Sequence, residues 1–140
     1  MKIFMKNLQK EDANVLEKFI IFEPGNEPVG YLTYDENKEE YIVYISKEAD
    51  PNEMPLLMML EAKTGNFIMS PDLSRAFLQE RIIPSNRQNI AQILADLGYP
   101  YYDMIFFLRD SYGRCVMDDF VIMPEKQYEI EKTGTQIERE

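Results

Sequence analysis

Near residue 70 the hydrophobic period of this chain changes, and that one switch restricts the architectures open to it. Before it, apolar runs are short, β-branched or aromatic, and bounded by turn residues; after it, apolar residues recur at helical spacing between serine, proline and glycine. Strand signals and helix signals that are segregated rather than alternating predict an α+β fold: a small antiparallel sheet from the first half, packed with about three helices from the second. At 140 residues the chain has the length of one domain. Area scaling buries roughly two-thirds of the unfolded surface at this size, enough for a real core.

Phe19-Ile20-Ile21-Phe22 reads as a strand ended by the turn cluster Glu23-Pro24-Gly25-Asn26. Val29 to Tyr34 and Tyr41 to Ile45, separated by Asp35-Glu36-Asn37-Lys38, read as a hairpin without an Asn-Gly turn. Segment 46–66 carries Pro51, Pro55 and Gly65 and is expected to be mostly loop, with 55–60 either a buried strand or a helical turn. Ser70-Pro71-Asp72 supplies a cap, a first-turn proline and a first-turn acid, predicting a helix over 71–81. Ser85 and Gln88 have capping-box spacing, and Ile90, Ile93, Leu94 and Leu97 run to Gly98 at the expected left-handed end. A third helix is expected from Pro100 to about Tyr112, with Tyr101, Met104, Ile105, Leu108 and Tyr112 on one stripe. Phe106 and Phe107 fall off that stripe, so the helix is covered on two sides or presents an aromatic anchor. Residues 118–123 read as a closing strand, giving one domain over 1–124: strand-rich at 1–66, helical at 70–113. Residues 125–140 read as an acidic tail, frayed helix or mobile.

Net charge is −10, with 25 acidic and 15 basic residues and no histidine. The commonest general base and metal ligand is therefore missing. The single cysteine, Cys115, allows no intrachain disulfide and no thiolate cluster. Residues 1–6 lack the apolar stretch of a signal peptide, and no run is long enough to span a bilayer. A reducing cytoplasm is the expected compartment. Six scattered glycines form neither a dinucleotide nor a Walker-type cradle, so no cofactor is expected.

The arginines concentrate in the second half: Arg75, Arg81, Arg87, Arg109 and Arg114 lie within forty residues. They either tie down acids such as Asp103, Asp110, Asp118 and Asp119 or meet a phosphate or a partner's carboxylate. The segment 71–124 is itself net negative, which makes a poor footprint for direct nucleic-acid binding. Adjacent Asp118 and Asp119 would point to opposite faces of a strand, so a Mg²⁺ site would need a third acid such as Asp103 or Asp110.

Val29-Gly30-Tyr31-Leu32, Tyr41 to Tyr44 and Met54-Pro55-Leu56 are similar to the opening of the N-terminal region of HipA-type toxin kinases. Phe77 to Pro84, Arg87 and Ile90 resemble the helix, proline and second helix that come next in that region, and Tyr102-Asp103 to Gly113 resembles its third helix and closing glycine. The likeness spans roughly residues 20–123. The family's kinase core has no counterpart in this chain. The resemblance therefore implies a non-catalytic accessory portion, an antitoxin-like regulator that binds a HipA-like kinase. The contact residues expected on this reading are Arg75, Arg81, Arg87, Phe106, Phe107 and Arg114. An acidic inhibitor from a phage or mobile element, blocking the nucleic-acid channel of a defence nuclease by charge mimicry, is the alternative. A third is a Mg²⁺-dependent hydrolase using Asp103, Asp118 and Asp119.

Overall fold

A computed structural model describes residues 16–139, with side chains through residue 133; the reading of residues 1–6 lies outside the described residues. Three strands come first: β1 (Leu16–Phe22), β2 (Gly30–Asp35) and β3 (Glu40–Ile45). A short 3-10 turn (Pro51–Glu53) leads into α1 (Leu56–Lys63), then α2 (Pro71–Gln79), α3 (Ile90–Leu97) and α4 (Met104–Ser111). The closing strand β4 (Val121–Pro124) runs into α5 (Glu125–Arg139). The fold is α+β, with a four-stranded antiparallel sheet in the order β3-β2-β1-β4. Five helices, not about three, are present among the described residues.

Strand alternation places the core. Phe19 pairs with Leu32 and Leu32 with Val43, and all three are fully buried on the face that the helices cover. Ile21 and Ile122 continue that face onto β4. Against it pack Met58 and Ala62 of α1, Phe77 and Leu78 of α2, and Met104, Ile105, Phe107 and Leu108 of α4. Gly30 is required by this packing, because a Cβ there would lie 2.2 Å from the Tyr44 carbonyl oxygen. The β2–β3 turn is built without Asn-Gly: the Asp35 carboxylate accepts the N–H groups of Asn37 and Lys38, and Glu39 takes a positive φ of 53°.

Both outer strands have polar groups met from within the chain. The Val43 N–H donates to Ser74 Oγ at 2.9 Å, the Val43 carbonyl accepts Met69 N–H at 2.9 Å, and Ile45 N–H donates to the Phe67 carbonyl at 2.8 Å. Ser74, fully buried on α2, donates its own hydroxyl proton to the Met69 carbonyl. On the other edge Ile122 N–H donates to the Tyr112 carbonyl at 2.7 Å.

Several boundaries differ from the sequence expectation. Residues 56–63, expected as loop with a strand or single turn, form α1. The Ser85 capping box is not formed: residues 85–89 are exposed turns, and α3 begins only at Ile90, after an Asn89 cap with no side-chain hydrogen bond. Pro100 does not open α4; Asp103 does, its carboxylate accepting the Ile105 N–H. Of the two alternatives read for 125–140, frayed helix or mobile tail, the structure has a helix over Glu125–Arg139, and Tyr128 packs edge-on against Phe22 at 4.9 Å. Lys18 and Glu125 add an ion pair at 3.4 Å.

Candidate functional site

Between α4 and β4 the chain makes a small, rigid projection. Tyr112 and Gly113 both have positive φ, 59° and 62°, which turns the chain sharply off the helix. A bridge between Cys115 and Asp118 then closes a tight hairpin whose tip is Val116 and Met117. Val116 is 103% exposed and Met117 76%, so both side chains stand in solvent.

Arg81 holds this projection. Its side chain is 4% exposed and its guanidinium meets Asp118 bidentately, at 2.9 and 2.7 Å. Nε donates to the Gly113 carbonyl at 2.7 Å and Nη2 to the Phe120 carbonyl at 3.0 Å. The guanidinium thus bonds both ends of the segment and its middle at once. Asp118 also accepts the Phe120 N–H at 2.9 Å. Burial alone would push the Asp118 carboxyl up, but the Arg81 hydrogen bonds, the Phe120 N–H and the Arg81 charge outweigh it and hold its pKa below the ordinary value.

The residues nominated from sequence are dispersed. Arg81 is buried in this clamp, and Phe107 is 4% exposed between the rings of Tyr99 and Tyr102, so neither side chain is open at the surface. Phe106 is half-buried, packed against the core and against the rings of Tyr99 and Tyr101, so this side of the helix is partly covered. Arg109 pairs with Glu17 of β1. Arg87 is exposed in the turns before α3, and Arg114 is exposed beside the hairpin, over the Tyr112 ring at 5.2 Å. Arg75 is exposed on α2, next to a recess lined by Tyr34 and Tyr41. Cys115 is half-buried at the base of the hairpin.

The three-aspartate metal site does not form. Asp103 caps α4 and Asp118 is bound by Arg81, and among the described residues no three His, Cys, Asp or Glu side chains converge on one point. Two clefts lie nearby, the first beside the hairpin and the second between the β1–β2 turn and residues 46–53. One, of about 600 Å³, is lined by Arg114, Cys115, Asp118 and Asp119 against the β1–β2 turn. The other, of about 590 Å³, carries Glu23, Glu27, Glu48, Asp50 and Glu53 and no basic side chain in its lining. No helix among the described residues is long and apolar enough to cross a membrane.

No family model, curated protein or solved structure matches this chain. The likeness to the HipA-type region rests on its short sequence motifs alone.

The tip is the feature that sequence reading missed. The signal was there: two apolar residues, Val116 and Met117, sit between turn-forming residues in a stretch with no strand or helix period.

Proposed function

We propose that this chain is a non-catalytic regulator that acts by binding another protein, and that Val116 and Met117 are its anchor. The observation that carries the reading is an apolar tip left in water while the segment behind it is fixed by a buried Arg81–Asp118 pair. Exposed apolar groups contribute nothing to folding where they stand, whereas a pre-ordered tip loses little entropy on docking. Burying one valine and one methionine in a partner's pocket is worth roughly 3–6 kcal/mol. Edge-strand groups at Val43, Ile45 and Ile122 that already have internal partners favour such side-chain docking over strand addition.

The kinase partner is what the sequence resemblance implies. Pull-down from the native host, with mass spectrometry, is expected to recover one stoichiometric protein. The double variant Val116→Ser/Met117→Ser should lose that partner by about a hundredfold or more in affinity while keeping its fold. Recovery of the chain alone, or a partner retained undiminished by the double variant, would count against the proposal.

The acidic cleft supports a second reading, an inhibitor that occupies a basic nucleic-acid channel. Its five carboxylates with no basic residue among them are the specific observation. A contact of that kind weakens steeply with salt, so binding that persists above about 0.5 M salt excludes it.

A further inference from the structure

Tyr34 and Tyr41 face each other across the β2–β3 hairpin with their rings stacked at 4.8 Å. They are 4% and 2% exposed, and neither hydroxyl has a hydrogen-bond partner among the described residues. No fully sealed side-chain polar atom among those residues lacks a partner. Both hydroxyls therefore reach the surface of the recess that the two tyrosines line. Nearly buried hydroxyls without a partner are uncommon and leave hydrogen-bonding capacity open to whatever fills the space beside them.

That space measures about 150 Å³, many times what a single water needs and well short of a nucleotide or a drug-sized ligand. Its charged walls are mixed. Arg75 stands on one side with no hydrogen bond or ion pair among the described residues, while Asp103 and Glu39 supply two carboxylates. Asp103 spends one oxygen on the Ile105 N–H that opens α4. Tyr102 is only wall, since its hydroxyl already donates to the Ile83 carbonyl at 2.7 Å. Burial first, then the charge of Asp103, raise the pKa of both Tyr34 and Tyr41, so these hydroxyls remain donors at neutral pH.

A bare anion would be drawn to Arg75 and repelled by two carboxylates; a bare cation would meet the reverse. A small ligand carrying both signs on neighbouring atoms satisfies every wall. We propose that this recess binds the head of a free α-amino acid, with its carboxylate on Arg75 and the Tyr34 and Tyr41 hydroxyls and its ammonium on Asp103 and Glu39. The ligand chemistry differs from that of the Val116–Met117 tip, so this binding and partner docking are tested separately.

The experiment is calorimetric and NMR titration of the full chain with L-alanine, acetate and methylammonium. L-Alanine is expected to bind saturably and to shift amides at residues 34–41, 75 and 103. Acetate and methylammonium, each lacking one of the two charges, should bind at least about tenfold more weakly. Arg75→Gln, Tyr41→Phe and Asp103→Asn should each weaken L-alanine by about tenfold or more. Asparagine still caps a helix, so the last variant keeps α4. The proposal is overturned by any of three results: acetate or methylammonium binding as tightly as L-alanine, L-alanine binding untouched by all three substitutions, or no saturable L-alanine binding at about 10 mM, which leaves the recess to water.

Discussion

Replacing Arg81 by methionine keeps an unbranched apolar stem but removes the guanidinium from the clamp. Four hydrogen bonds go, and the Gly113 and Phe120 carbonyls lose an internal donor. Asp118 is left as an unpaired carboxylate. Removing one member of a buried ion pair costs about 3–5 kcal/mol. The Asp118 side chain is 25% exposed, so water recovers part of its solvation and the loss should fall near the lower end, about 3 kcal/mol. For a domain of this size that is roughly 10 °C in melting temperature. Urea denaturation gives the free energy directly, and hydrogen exchange at residues 113–120 shows where it is lost. The double variant Arg81→Met/Asp118→Leu should recover much of the loss, because an apolar pair leaves no stranded charge. A loss below about 1 kcal/mol for Arg81→Met, with exchange at 113–120 unchanged, would refute the idea that this arginine holds the hairpin.

The remaining predictions concern single positions. Ser74→Ala strands the buried Val43 N–H and should cost about 1–3 kcal/mol by denaturant titration. Gly30→Ala drives a methyl group into the Tyr44 carbonyl and should destabilise more than Gly113→Ala, whose Cβ meets the end of the Ile122 side chain at 2.9 Å; the reverse order would show that the sheet yields before the loop. The folded-state pKa of Asp118 lies below its ordinary value of 3.8, so its stabilisation is present above that value and is lost as pH falls through the folded pKa. The stability gap between the native chain and Asp118→Asn should therefore close below about pH 4. Tyr99 is pushed up to about 12 by burial, its hydrogen bond to Asp110 and the Asp110 charge. Here the folded pKa is the higher one, so the contribution is intact below the ordinary value of 10.0 and is lost as pH rises toward 12; a tyrosinate titration lacking a late-ionising group that Tyr99→Phe removes would sink this assignment.

What the sequence made legible was local chemistry. Ser70 caps α2 by accepting the Leu73 N–H, and Gly98 ends α3 at a φ of 78°, both as their spacing predicts. The β2–β3 hairpin was legible from two β-rich runs. Where burial rather than sequence spacing decides, legibility failed. Leu56 to Leu60 are five consecutive apolar residues, so α1 has no polar face to reveal its period. Ser85 and Gln88 have the right spacing, yet residues 85–89 are all exposed, so no burial favours a helical turn there. At the candidate sites the decisive partners are distant in sequence: Arg81 and Asp118 are 37 residues apart, and Arg75 and Asp103 line one recess from two different helices. An arginine's neighbours could be guessed from composition, but which arginine would be sealed inside and which left open depends on the packing of α2 against the sheet.

The outermost strands leave little for another chain to copy. The N–H groups of Val43, Ile45 and Ile122 and the Val43 carbonyl are already engaged by Ser74, Phe67, Tyr112 and Met69. Concentrated solutions of this protein should accordingly resist fibril seeding, since an incoming strand would first have to displace bonds that are already formed.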